Sequence, residues 1–157
     1  MLLAFACGCL TGCGDSNPTK PPSTVAKHEH KPPHGGTPVV LGDEEYHVEL
    51  VLDAPAGKLD AYVFDGELEN FVRSTAPEFQ VLAKLPSGGQ TLVFKPIPNS
   101  ATGETVGDTS LFETQADWLK KETNFDAVLK QITVRGKSYE NVEFNFPKGN
   151  DKDEKPK

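Results

Sequence analysis

The chain has 157 residues, with 16 Lys and Arg against 23 Asp and Glu, for a formal net charge of −7. Hydrophobic residues make up 36% and charged residues 25%, and there are 14 Gly and 13 Pro. That suits one modest, turn-rich domain and excludes collagen, a coiled coil and a multi-span membrane protein. The acidic balance also argues against a nucleic-acid partner, because polyphosphate attracts basic faces.

The charge is unevenly placed. Residues 1–13 carry none, and the stretches 14–34 and 148–157 carry +1 each, so residues 35–147 carry −9. An acidic body between two slightly basic flanks is soluble and favours cationic partners.

Residues 1–13 are all apolar or small, and charge begins at Asp15. The run is too short to span a bilayer, which takes about 20 helical residues. It has the character of a secretory segment with small residues at a cleavage point. Leu10-Thr11-Gly12-Cys13 resembles the lipobox of bacterial lipoproteins. That resemblance implies cleavage before Cys13 and a diacylglycerol thioether on its sulfur, with acyl chains such as palmitate in the membrane. The expected location is the bacterial cell envelope, lipid-anchored and facing the periplasm or the exterior. All three cysteines, Cys7, Cys9 and Cys13, lie in this segment. The mature chain would then keep one Cys, already lipidated, which leaves no disulfide and no thiolate metal site.

Residues 14–34 are rich in Pro, Ser, Thr, Lys and His and lack apolar periodicity. Such a segment reads as a disordered or polyproline tether holding a domain off the membrane. Residues 35–147 read as the β-domain, and 148–157 as a disordered charged tail.

Within that domain, Tyr46 to Asp53 alternates with period two, Ala54-Pro55-Ala56-Gly57 is turn chemistry, and Leu59 to Phe64 alternates again, predicting a hairpin. Phe79–Ala83 and Thr91–Phe94 around Pro86-Ser87-Gly88-Gly89 predict a second, ended by Pro96 and Pro98. Residues 99–109 read as an exposed loop. Thr114 to Lys121 reads as a short helix with Thr114 as its N-cap, and Phe125–Lys130 as its continuation or a further turn. Ile132 to Phe146, turning at Gly136-Lys137, predicts a last hairpin stopped by Pro147. The fold class expected is mainly β: a β-sandwich or partly open barrel of about six to eight short antiparallel strands with one short helix.

All four histidines, His28, His30, His34 and His47, fall in the first 47 residues. Neutral imidazole suits Zn, Cu(II) and Ni. His47 and Glu49 are two apart on a predicted strand and share a face. Gly35-Gly36 allows a turn that brings His34 to them. His34, His47 and Glu49, assisted by His28 and His30, are therefore candidate metal ligands. The alternative is that these are ordinary polar residues of a tether and a wet sheet face.

Pro33-His34-Gly35-Gly36, with Leu41-Gly42, Tyr46-His47-Val48-Glu49-Leu50 and Leu59-Asp60-Ala61-Tyr62-Val63-Phe64-Asp65, is similar to the His-Gly-Gly segment of some periplasmic adaptor subunits of heavy-metal efflux pumps. Small bacterial lipoproteins with the same segment are similar as well. The resemblance spans residues 33–66, implies an envelope β-domain in a metal-handling setting, and carries over His34, Gly35, Gly36 and Glu49. The long helical hairpin and lipoyl-like halves of a full adaptor are absent from the sequence.

No enzyme is expected. The sequence has no Gly-x-Ser-x-Gly elbow, P-loop, Gly-x-Gly-x-x-Gly or His-Glu-x-x-His. Asp43-Glu44-Glu45 and Glu67/Glu69 fall in predicted turns, where wet carboxylates lack the perturbed pKa of acid–base work. Trp118 and Leu119 read as a core plug. Two functions remain: a membrane-anchored lipoprotein that binds or buffers a divalent transition metal, or a structural or protein-interaction module of the envelope with no metal role.

Overall fold

A computed structural model describes residues 31–151. Cys13, His28 and His30, with the expected signal segment and most of the tether, lie outside the described residues.

Among the described residues eight strands form: β1 Thr37–Leu41, β2 Tyr46–Asp53, β3 Lys58–Asp65, β4 Phe79–Leu85, β5 Gly88–Pro96, β6 Leu111–Gln115, β7 Phe125–Val134 and β8 Lys137–Phe146. They make one antiparallel sheet in the order β1-β2-β3-β6-β5-β4-β7-β8. The sheet curls until β1 and β8 touch, giving a nearly closed barrel rather than two stacked sheets. Among the described residues, no helix is long and apolar enough to cross a membrane.

Period-two alternation decides what fills the barrel. Val39, Leu41, Val48, Leu50, Leu59, Ala61 and Val63 point inward from β1, β2 and β3. Phe79, Val81, Leu92, Phe94 and Leu129 do so from β4, β5 and β7. Phe79 stacks on Phe94 with ring centroids 4.6 Å apart, and Phe112 meets Phe79 edge-on at 5.1 Å. Each such ring contributes about 1.5–3 kcal/mol by leaving water.

The three expected hairpins form, with β2 and β3 in register from Tyr46↔Asp65 to Asp53↔Lys58. The expected helix from Thr114 does not. Thr114 lies inside β6, opposite Leu59 of β3, and only a 3-10 turn, Asp117–Lys120, follows. Strand pairing to β3 outweighs the capping signal, because Phe112 and Thr114 bury their side chains only as strand residues. Phe125–Lys130 is likewise strand, the first half of β7. Leu119, fully buried, is the plug, and the half-buried Trp118 packs edge-on against Phe125 at 5.2 Å.

The seam between β1 and β8 is sealed without a ladder. The Asn150 side chain accepts from Val40 N at 2.7 Å and donates to Val40 O at 3.2 Å, as a neighbouring strand would. Thr37 Oγ1 donates to Pro147 O at 3.1 Å. Residues 147–150, which the sequence places beyond the domain or at its end, thus take part in closing the barrel. At the opposite end of β8, Glu45 accepts from Tyr139 Oη at 2.6 Å and pairs with Lys137, tying the β1–β2 turn to β8. These two contacts, the Lys137 bond first, hold the Glu45 carboxyl below its usual range. Burial, reinforced by Glu45, drives the Tyr139 phenol well above its usual value.

Candidate functional site

The outer face of the β2–β3 ribbon carries His47, Glu49, Tyr62 and Phe64, the residues that alternate with the barrel lining. His47 lies opposite Phe64 and Glu49 opposite Tyr62. His47 and Glu49 do share one face. That face is not wet: His47 is 2% exposed and Glu49 0%.

The cover is the segment before β1. Gly35 N donates to Pro32 O at 3.0 Å, closing a turn with Pro33 and His34 at its centre. Pro33 presets the backbone for such a turn, and Gly35 follows at a φ of +69°, where a side chain would be strained. The turn lays Gly36 directly on β2. A Cβ at Gly36 would stand 2.5 Å from Leu50 O and 2.9 Å from the Glu49 side chain, so only glycine permits this approach.

Glu49 is thereby gripped by three donors. His34 N reaches Oε1 at 2.8 Å, Gly36 N reaches the same oxygen at 2.9 Å, and His34 Nδ1 lies 2.7 Å from Oε2. A carboxylate removed from water demands such donors, since unpaired burial of charge is costly. The imidazole is also stacked on Tyr62, with centroids 4.0 Å apart and planes 16° from parallel. Burial, with Asp60 second, raises the Tyr62 phenol. The His34 side chain remains 35% exposed. With Nδ1 committed to Glu49, Nε2 is the nitrogen left to act on anything outside.

His47 sits apart from this grip. Its Nδ1 lies 3.3 Å from Asp65 O at the end of β3. The structure therefore brings His34 and Glu49 together and places His47 beside them on the sheet with a different partner. Among the described residues, no three His, Cys, Asp or Glu side chains group closely enough to hold a metal ion.

The sequence did not single out Phe71 and Tyr62. Phe71 stacks on Phe64 at 4.6 Å and lies 6.1 Å from the His34 ring, yet it is 56% exposed. Only the position of Tyr62 could have been read, since it pairs with Glu49 in the expected hairpin. Tyr62, Phe71, Ile97 and Leu111 line a groove of about 320 Å³ that has Arg73 and Glu104 at its rim.

Arg73 pairs with Asp108 at 2.8 Å, and Glu104 accepts from Ser110 Oγ, Thr109 Oγ1 and Asn99 N. Burial works to raise the Glu104 carboxyl, but the donors from Asn99, Ser110 and Thr109 outweigh it and hold it low. These contacts fold the loop before β6 into a fixed wall.

No protein family, curated protein or solved structure matches the chain.

Proposed function

We propose that the protein is a lipid-anchored, extracytoplasmic β-barrel module that binds a divalent transition metal (Zn, Cu(II) or Ni) at the junction of tether and barrel. The supporting observation is the 2.7 Å contact between His34 Nδ1 and the buried Glu49. A carboxylate behind one imidazole nitrogen fixes the tautomer and ring direction and makes the other nitrogen a better ligand. In this reading His34 binds through Nε2, with His28 and His30 as further ligands from the adjoining tether. Glu49 orients His34 instead of ligating, because both of its oxygens are engaged. His47 then serves the barrel through Asp65.

The lipid anchor rests on the sequence around Cys13. Mass spectrometry of the mature N-terminus tests it: a diacylated Cys13 supports the reading, and an intact Met1 in the native host contradicts it.

A second reading has its own support. The grip on Glu49 also uses two backbone N–H groups, so the His34–Glu49 pair has a structural task whether or not metal binds. Exposed Phe71 and Ile97 beside it fit an envelope protein partner. Calorimetric titration with Zn, Cu(II) and Ni separates the two. Micromolar or tighter binding that His34→Ala abolishes supports the metal reading, and binding indifferent to His34 leaves the interaction module.

A further inference from the structure

The two seams of the barrel are treated differently. The β1–β8 seam is sealed by Asn150 on Val40. The β5–β6 seam is left open. β5 is in register with β4 from Leu85↔Gly88 to Phe79↔Phe94, but with β6 only at Lys95↔Glu113 and Pro96↔Phe112.

Backbone direction identifies the groups that face the opening. Ile97 N donates to Leu111 O at 2.8 Å, so Ile97 turns its polar groups toward β6. Those groups alternate along a strand, so Lys95, Val93 and Thr91 face the same way. Lys95 meets Glu113. Beyond it β6 leaves to follow β3, where Ala116 N donates to Gly57 O at 2.9 Å. Among the described residues no strand stands in register with Thr91 or Val93 on that side. A groove of about 460 Å³ opens there, lined among others by Thr91, Val93, Lys95, Glu113 and Gln115.

A bare strand edge is ordinarily guarded by charge, proline or a covering segment, since it templates pairing with another chain. Among the described residues, no such guard stands on this edge between Thr91 and Val93. Residues 86–94 carry no charge, although the body around them carries −9, and Gln90 to Phe94 is rich in strand-forming residues without proline.

We propose that the outer edge of β5 pairs antiparallel with the same edge of a second copy about a two-fold axis at Leu92. Thr91 then faces Val93 of the second copy, and each such pair exchanges two backbone hydrogen bonds. The occupant follows from charge. Two copies of an acidic molecule repel least where their contacting stretch is neutral, and this register opposes no like charges. A two-fold contact also uses up both edges, so association stops at two.

Sedimentation of the full-length chain carrying Cys13→Ser tests this. The expected mass is about twice that of the monomer at roughly 100 μM, falling to monomer on dilution. Val93→Lys and Thr91→Pro should each give monomer at every concentration. Thr91→Pro removes an N–H that faces the opening and spares the bonds to β4. Circular dichroism of both variants checks that the barrel still folds. Amide exchange adds a residue-level readout, with Thr91 and Val93 slowing as concentration rises. A monomer throughout, a dimer indifferent to both folded variants, or open-ended association overturns the proposal.

Discussion

His34 and Glu49 are joined twice. The backbone nitrogen of His34 binds one carboxylate oxygen at 2.8 Å, and its ring nitrogen lies 2.7 Å from the other. Four atoms thus decide where the chain upstream of β1 enters the barrel. Removing the carboxylate strands a ring and two backbone donors at once. Glu49→Ala should destabilise the barrel by about 2–4 kcal/mol, since each buried donor it leaves unsatisfied costs about 1–3 kcal/mol. Glu49→Gln keeps one accepting oxygen and should cost less than half of that. Urea unfolding of both variants checks the order.

Gly36 and Gly35 make a contrasting pair. A methyl at Gly36 meets Leu50 O at 2.5 Å, whereas one at Gly35 meets nothing within 4 Å and is opposed only by its φ of +69°. Gly35→Ala should therefore cost about 1–2 kcal/mol, the left-handed backbone penalty. Gly36→Ala should cost more, about 3 kcal/mol, and should displace His34 from Tyr62. Thermal melts and the chemical shifts of the Tyr62 ring report the two effects.

Much of the fold was legible because strand alternation is a local signal. Tyr46 to Phe64 declares its hairpin, and His47 and Glu49 fall on one face as spacing requires. The misplaced helix has a physical cause. Thr114 is a residue type that favours a helix N-cap, but pairing with β3 is a long-range contact that no local pattern announces. The burial of Glu49 was hidden for the same reason. Its cover comes from a turn 13–15 residues upstream. Alternation predicts which face a residue takes, not what later folds over it.

Asn150 replaces a strand at the β1 edge, so its loss should loosen that edge locally. Asn150→Ala should lower stability by about 1–3 kcal/mol, because two hydrogen bonds to Val40 are lost at about 0.5–1.5 kcal/mol each. Amide exchange at Val40 should accelerate well beyond that at Val48 in the barrel interior.

Acid should weaken the fold in a defined window. Glu104 is held below its ordinary value of 4.5 by Asn99, Ser110 and Thr109, against the opposing effect of burial. A depressed carboxyl contributes stability that is present above 4.5 and is lost as pH falls through its folded value. Unfolding midpoints should thus drop as pH falls below 4.5. In Glu104→Gln the drop should be shallower, although Glu45, also depressed, keeps part of it.

If Glu49 aims His34 at a metal ion, as proposed, affinity must depend on both side chains. Titration calorimetry with Zn, Cu(II) and Ni on wild type, His34→Ala and Glu49→Gln measures that dependence. On this reading wild type binds at micromolar or tighter, His34→Ala does not bind, and a folded Glu49→Gln binds 10–100-fold more weakly. Binding weaker than micromolar in wild type, or equal binding in His34→Ala, contradicts it.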